Sequence, residues 1–159
     1  MRFWKRRKQL VGKIEGLKDI CQRAGLKATH QRLEILREMM EAGDHPSAEE
    51  IYKRVRTRIP TISLDTVYRT LGTFEKRGVI ARLPMMEGRI RYDPVRDRHD
   101  HFVCTECKDI IDCLIPGTER LHIPLDAGRL GEVTSIHVEV RGVCGDCLKR
   151  RSGCRREGD

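Results

Sequence analysis

Apolar residues in the first half of the chain recur every three or four positions, which is the spacing of helices that bury one face. Four such segments predict four helices between Lys13 and Gly78. Residues typical of helix ends bracket these segments. In chain order they are Gly25 after the first helix, Thr29 and Gly43 around the second, Ser47 with Glu50 as a capping box before the third, and Ser63 and Gly78 around the fourth.

The fourth segment, "SLDTVYRTLGTFEKRG", predicts a helix with one basic, hydroxyl-rich face. Its apolar stripe is Val67, Leu71 and Phe74, and the residues predicted to face outward are Thr66, Arg69, Thr70, Thr73, Lys76 and Arg77. The next segments, "VIARLPM" and "GRIRYDP", alternate apolar and basic residues around "MEG" and predict a two-stranded hairpin. Helices followed by a basic hairpin are typical of a winged helix, whose last helix enters the DNA major groove. The DNA contacts expected are Ser63, Thr66, Tyr68, Arg69 and Thr70.

After Pro94 the apolar residues alternate with a period of two, which indicates strands. "HDHFVCTE" and "KDIIDCLI" predict two paired strands, and "EVTSIHVEVRGVC" predicts a further β-rich run. The segment between them, "GTERLHIPLDAGRL", is compatible with a short helix. A helical domain followed by a strand-rich domain implies a hinge between Ile90 and Arg98.

Positive charge is concentrated in the helical half. Residues 1–92 contain 21 Lys and Arg against 11 Asp and Glu, whereas residues 93–159 contain 11 against 13. This asymmetry favours a first domain that binds a polyanion, with a merely solvated basic surface as the alternative. A chain of 159 residues buries only a modest core, which favours a binding protein over an enzyme with a deep pocket. Neither a secretory signal nor an apolar run of membrane-spanning length stands out, so we expect a cytoplasmic protein.

Four of the seven cysteines form two closely spaced pairs, "CTEC" and "CGDC". Pairs at this spacing are typical zinc ligands, and four thiolates complete the tetrahedral shell of a structural Zn²⁺ ion. The predicted zinc ligands are Cys104, Cys107, Cys144 and Cys147. Reduced thiols or a disulfide are the alternative. We interpret Cys21, Cys113 and Cys154 as core or surface thiols.

A second group of potential ligands carries nitrogen and oxygen. His99 and His101 flank Asp100, and in a strand their imidazoles share one face. Asp93 precedes them, and Asp112 follows on the next predicted strand. Two imidazoles and two carboxylates suit Fe²⁺, Mn²⁺ or Zn²⁺ and can leave a coordination position open. The alternative is a set of polar loop residues bonded to one another.

These motifs, in this order, resemble the ferric uptake regulator (Fur) family of metal-dependent transcription factors. They are "HPSAEEIY", "SLDTVYRTL", "RYD", "HDHFVCTEC", "IID" and "GVCGDC", spread over residues 25–150. The resemblance implies an α+β fold, with an N-terminal winged-helix DNA-binding domain followed by a small α/β dimerisation domain, and a homodimer on a palindromic operator. The implied division is a basic tail at 1–12, the DNA-binding domain at 13–92, a hinge at 93–98, the dimerisation and zinc domain at 99–150, and a tail at 151–159.

The resemblance also implies the ligands of a regulatory Fe²⁺ or Mn²⁺ ion. These are His45, which the spacing did not indicate, together with Asp93, His99, His101 and Asp112. Asp at position 93 is similar to the peroxide-responsive (PerR) branch, since iron-sensing members typically carry Glu there. A further iron-sensor site requires His where Arg98 and Ile136 stand, so that site is degraded here. Arg69, by contrast, resembles the iron sensors.

We therefore expect a transcriptional repressor, and no enzyme, in which a metal ion joins the DNA-binding domain to the dimerisation domain. It would sense peroxide through metal-catalysed oxidation of a ligand, His45 or His99. One alternative is an iron- or zinc-sensing Fur-type repressor without peroxide chemistry. Two others are a zinc hydrolase, for which no general base is evident, and a redox switch in which the cysteine pairs oxidise.

Overall fold

The chain divides into two units, Met1–Asp97 and Arg98–Asp159. The computed structural model describes residues 14–83, 90–94, 99–118 and 138–153. The described elements of the first unit are α1 (Ile14–Arg23), α2 (His30–Glu41), α3 (Ala48–Arg56), α4 (Leu64–Lys76), β1 (Ala81–Arg82) and β2 (Tyr92–Asp93). Those of the second are β3 (Asp100–Cys104), β4 (Ile110–Cys113), β5 (Glu139–Gly142) and α5 (Gly145–Gly153). The α+β fold class is confirmed.

The predicted cap residues account for the helix boundaries. Thr29, Ser47 and Ser63 each accept a hydrogen bond from the backbone N–H three residues further on. At α3 the capping box is complete, because the backbone N–H of Ser47 donates to Glu50 Oε2 over 2.7 Å. Gly78 follows α4 with a φ of 63°, a left-handed conformation that glycine adopts without strain.

One aliphatic core joins the four helices of the first unit. Val67, Leu71 and Phe74 of α4 are fully buried in it, as the apolar stripe predicted. Thr70 is also buried, with 8% of its surface exposed, so the prediction that it faces outward is wrong. Thr70 lies three residues after Val67 and four before Phe74, and helical periodicity therefore puts it beside the stripe.

Two carboxylates on the core side of α2 are buried with a common partner. Nε of Arg58 lies 2.5 Å from Glu34 Oε2, and the same guanidinium binds Glu38 Oε1. The hydrogen bond with Glu38 raises the pKa of Arg58 above its ordinary value. Because a buried charge is costly without a partner, this pairing explains how α2 can bury two glutamates.

Both predicted strand pairs are confirmed. In the first unit β1 and β2 are antiparallel, with Ala81 opposite Asp93. Asp93, which the sequence put at the start of the hinge, therefore ends a strand. In the second unit the sheet order is β4–β3–β5, with β3 antiparallel to β4 and parallel to β5. The helix α5 continues to Gly153, three residues into the predicted tail.

Several sequence predictions lie outside the described residues. These are the basic tail at 1–12, the turn of the hairpin at 84–89, and the short helix in 117–130 from residue 119 onward. The degraded iron-sensor positions Arg98 and Ile136 and the thiol Cys154 lie outside them too. Within the described ranges, no helix is both long enough and apolar enough to cross a membrane.

Replacing Leu71 by Ala tests the core of the first unit. Leu71 is fully buried, so the substitution is expected to lower the free energy of unfolding by about 2–5 kcal/mol through lost apolar contacts and the cavity left behind. Lys76→Ala is the matched control on the exposed side of the same helix, with an expected change below about 0.5 kcal/mol. Denaturant unfolding measured by circular dichroism compares the two, and equal effects would contradict the assigned stripe.

Candidate metal centres

Four cysteine sulfurs converge at one end of the sheet in the second unit. Cys104 ends β3 and lies opposite Gly142 of β5, and this register brings Cys144 to its side. Cys107 lies in the turn after β3, and Cys147 in the first turn of α5. One sulfur from each of the four lies within 4.8 Å of all the others. The fold thus joins the two pairs that the spacing singled out.

The sulfur positions fit a tetrahedral zinc ion. A Zn–S bond of about 2.3 Å puts sulfurs at the corners of a tetrahedron about 3.8 Å apart. The Sγ atoms of Cys104 and Cys147 are 3.8 Å apart, and those of Cys107 and Cys144 are 3.7 Å apart. A disulfide would need about 2.05 Å, and the described cysteines form none. The four residues can therefore hold one Zn²⁺ ion in a closed shell, which is the arrangement of structural sites.

Two thiols of the sulfur cluster differ in how readily they ionise. The backbone N–H of Cys144 donates to Cys104 Sγ over 3.3 Å and lowers the pKa of Cys104 to about 6. The backbone N–H of Asp109 acts in the same direction on Cys107, but burial and the neighbouring thiols raise the pKa of Cys107 to about 12. Arg150 Nη2 donates to Cys147 Sγ over 2.9 Å. The N–H donor to Cys104 thus favours the ionised form that a metal ligand must take, whereas the surroundings of Cys107 favour its protonated form until a metal ion binds.

Two other cysteines lie apart from this cluster. Cys21 is fully buried in the core of the first unit, and burial raises the pKa of its thiol. Cys113 on β4 donates to the carbonyl of Asp100 over 3.4 Å, and burial raises its pKa as well. Both thiols are therefore protonated at neutral pH, which agrees with their interpretation as core or surface thiols.

The second unit also brings together two imidazoles and a carboxylate. His101 on β3 lies opposite Asp112 on β4, so the two side chains share one face of the sheet. His99 Nε2 is 2.9 Å from His101 Nε2 and 3.5 Å from Asp112 Oδ1, and His101 Nε2 is 3.6 Å from that same oxygen. Two His and one carboxylate that converge in this way are the ligand set typical of non-haem Fe²⁺ sites with open positions.

The first unit holds the other two residues of the implied regulatory site. His45 and Asp93 are buried, with 5% and 2% of their surfaces exposed, and His45 Nε2 is 4.0 Å from Asp93 Oδ1. His45 has a φ of 47°, a left-handed conformation that is uncommon for a residue other than glycine. Nitrogen and oxygen donors again suit Fe²⁺ or Mn²⁺, but two ligands form only part of a shell.

The outward face of α4 differs in part from the predicted one. Arg69 is exposed, with 82% of its side chain accessible, and lies 3.9 Å from Asp65. Ser63 caps the helix, and its hydroxyl is 2.8 Å from that of Thr66. Tyr68 is 40% exposed. Thr70, being buried, offers no surface to DNA.

Three polar contacts involve residues that the sequence did not single out. The hydroxyl of Tyr68 donates to Glu49 of α3, Arg150 binds Cys147, and Arg91 binds Glu50. Only the contact of Arg150 had a local signal, since a residue three positions after Cys147 on a helix lies beside it. The other two join residues that are distant in sequence.

Comparison with known proteins identifies the family. The profile described as "Ferric uptake regulator family" matches residues 23–139. The chain belongs to the ferric uptake regulator family. This Fur-family chain is 32% identical to the peroxide operon regulator of Bacillus subtilis (strain 168) over 91% of its own length and 97% of that protein. It is 38% identical to the ferric uptake regulation protein of Rhizobium leguminosarum bv. viciae over 66% of its length and 75% of that protein.

A solved structure supports the same assignment. The ferric uptake regulator Fur of Helicobacter pylori, described as having three functional metal binding sites, matches with a TM-score of 0.68 and 26% identity. The match covers 86% of this Fur-family chain and 94% of that one. The chain is a metal-responsive transcriptional regulator, as the resemblance implied.

Replacing Cys147 by Ser tests the sulfur cluster. The substitution removes one of four converging sulfurs, so we expect C147S to lose most of its bound zinc, whereas the unaltered chain retains about one ion per chain. Cys113→Ser is the matched control, since that thiol lies in the same sheet and outside the cluster. Metal analysis after passage over a chelating resin gives the zinc content. Full zinc in C147S would contradict the assignment.

Proposed function

We propose that this Fur-family protein is a DNA-binding repressor that senses peroxide at a regulatory Fe²⁺ or Mn²⁺ site, with a structural Zn²⁺ ion at the four cysteines. The observation that carries the proposal is the convergence of His99, His101 and Asp112, a set suited to iron with an open position. The similarity to a peroxide operon regulator over 91% of the chain supports the peroxide chemistry. So does Asp, instead of Glu, at position 93.

The regulatory ion would take ligands from both units. The proposed set is His45, Asp93, His99, His101 and Asp112. Because each unit alone offers an incomplete shell, an ion bound by all five favours the arrangement in which both units present their ligands. Only this difference in affinity can couple the metal to DNA. A coupling of about 1–3 kcal/mol, or about 5- to 150-fold, suffices to change the occupancy of an operator.

Peroxide would release the DNA by modifying one of these ligands. Fe²⁺ at this site would activate the peroxide, a chemistry that Mn²⁺ does not readily support, and the imidazole ring itself would supply the two electrons that reduce it. In this chain the imidazoles of His45 and His99 are the proposed targets, where a ring carbon gains one oxygen atom of the peroxide and the other leaves as water. The oxidised ring is a poorer ligand, so the shared shell is lost. The chain is consumed in the process, which makes it a sensor and no enzyme.

The DNA-binding surface would be the exposed side of α4. Ser63, Thr66, Tyr68 and Arg69 lie there, and Arg can bind guanine through two hydrogen bonds. The excess of Lys and Arg in residues 1–92 supports contact with phosphates. Thr70 is not among the proposed contacts, because its side chain is buried beside the apolar stripe of α4.

A second copy of the chain is the proposed partner of the sheet in the second unit. One face of this sheet carries an apolar groove of about 370 Å³, lined by Phe102, Ile111 and Val140 among others. Ile111 and Val140 remain 46% and 40% exposed and line the same groove, so both strands that flank β3 present apolar side chains to water. A homodimer would cover them and present two α4 helices to a palindromic operator.

Reduced, paired thiols suit a cytoplasmic location.

An iron- or zinc-sensing repressor without peroxide chemistry is the second candidate. Arg69 resembles the iron sensors, and one relative is a ferric uptake regulation protein. The same ligands would serve both functions. The two candidates differ in whether a ligand His is oxidised when iron and peroxide are present.

A brief peroxide pulse distinguishes the two candidates. After loading with Fe²⁺, the protein is expected to gain the mass of one oxygen atom on a peptide bearing His45 or His99 and to lose DNA affinity. The Mn²⁺-loaded protein should do neither, and the peptide bearing the exposed His30 serves as the control. Peptide mass spectrometry and DNA titration are performed on the same samples. Metal-dependent DNA binding without oxygen gain would support the second candidate, and zinc release in step with DNA release would support a cysteine switch.

Replacing Arg69 by Ala tests the DNA-binding surface. A duplex selected from a random library by the Mn²⁺-loaded protein serves as the probe. R69A is expected to weaken binding by about 1–3 kcal/mol if Arg69 binds a base, or to reduce the slope of log affinity against log salt by about 1 if it binds a phosphate. Lys149→Ala, which breaks a similarly exposed pair with Asp146 in the second unit, is the control. Unchanged binding by R69A would exclude Arg69 from the interface.

A further inference from the structure

The turn that carries His45 is held from the hairpin side by two donors. Nη1 of Arg91 donates to the carbonyl of His45 over 3.4 Å. The backbone N–H of Tyr92 donates to the carbonyl of Pro46 over 3.2 Å. A left-handed residue other than glycine, as His45 is, persists only where its surroundings hold it. The contacts from Arg91 and Tyr92 therefore fix a conformation that the local sequence would not adopt by preference.

Arg91 also joins this turn to the start of α3. Its Nη1 atom donates to Glu50 Oε2 over 2.7 Å, and the same oxygen accepts the backbone N–H of Ser47 over 2.7 Å. The side chains of Arg91 and Glu50 are only 23% and 33% exposed, so solvent screens their attraction in part. Ser47 and Glu50 complete the capping box without Arg91. Since α3 is capped without Arg91, we expect the role of Arg91 to lie in its bond to the turn of His45.

We propose that Arg91 is a positioning residue for the metal ligand His45. Asp93 lies two residues after Arg91 on β2, so the guanidinium connects the strand that carries one ligand to the turn that carries the other. It holds the two ligands near each other before a metal ion arrives, which lowers the ordering cost of binding. This inference rests on the proposed regulatory site. Loss of a group that orients a ligand typically weakens metal binding by about 10- to 100-fold.

Substitutions at Arg91 separate positioning from general stability. Arg91→Met removes every donor and keeps the aliphatic stem, whereas Arg91→Lys retains the charge and donors. Arg54→Met is the matched control. Arg54 pairs with the side chain of Asp44, the residue before His45, so this substitution removes an arginine near the same turn without removing a bond to His45 itself. His45→Ala tests whether the ligand itself matters. Each full-length, zinc-loaded variant is titrated with Mn²⁺ against a fluorescent chelator, and its zinc content and metal-free melting temperature are measured.

The expected result is a loss of Mn²⁺ affinity of at least about 10-fold in R91M, a smaller loss in R91K, and a change within about twofold in R54M, whose ion-paired side chains are 37% and 53% exposed. Zinc content should be the same in all variants. If H45A loses affinity while R91M binds like the unaltered chain, the positioning role is overturned and the proposed site stands. Equal losses in R91M and R54M, or an affinity loss in R91M matched by a large fall in melting temperature, would also overturn it. Unchanged binding by H45A would refute the regulatory site, and the inference with it.

Discussion

The register of β3 determines both sets of metal ligands in the second unit. Cys104 opposite Gly142 delivers Cys144 to the sulfur cluster, and His101 opposite Asp112 assembles the nitrogen–oxygen set. Because side chains alternate along a strand, a slip of one residue would turn His101 from Asp112 and separate the sulfurs at the same time. The 36 residues between Cys107 and Cys144 leave the chain itself little power to set this register. A tetrahedral ion at the strand ends would fix it.

The same strand keeps the two kinds of donor apart. The imidazoles of His99 and His101 lie at its start, Cys104 lies at its end, and Cys107 lies in the turn that follows. Soft thiolates suit zinc, whereas nitrogen and oxygen suit iron and manganese. The two sites can therefore select different metals through their donor atoms, although they lie only a few residues apart on one strand.

Local chemistry made the helices predictable, and distant contacts made the rest unpredictable. The caps at Thr29, Ser47 and Ser63 act within three residues, so the sequence alone indicates them. Thr70 is buried because its position beside the apolar stripe outweighs its polarity, which a prediction based on polarity does not capture. The burial of Glu34 and Glu38 depends on Arg58, at least 20 residues away, and no periodicity reports such a partner. His45 could be found only by resemblance, since neither spacing nor propensity distinguishes it.

The cysteine pairs, unlike His45, were predictable from the sequence, because a spacing of a few residues indicates their chemistry. The bond from Arg150 to Cys147 adds a property that spacing does not show. A sulfur that is bound to zinc and also accepts a guanidinium N–H has fewer lone pairs left with which to attack an oxidant. Under the proposed function this sulfur reacts more slowly with an oxidant. Oxidation would then modify the imidazole ligands of the regulatory site while the four-cysteine zinc site stays intact and keeps the second unit folded.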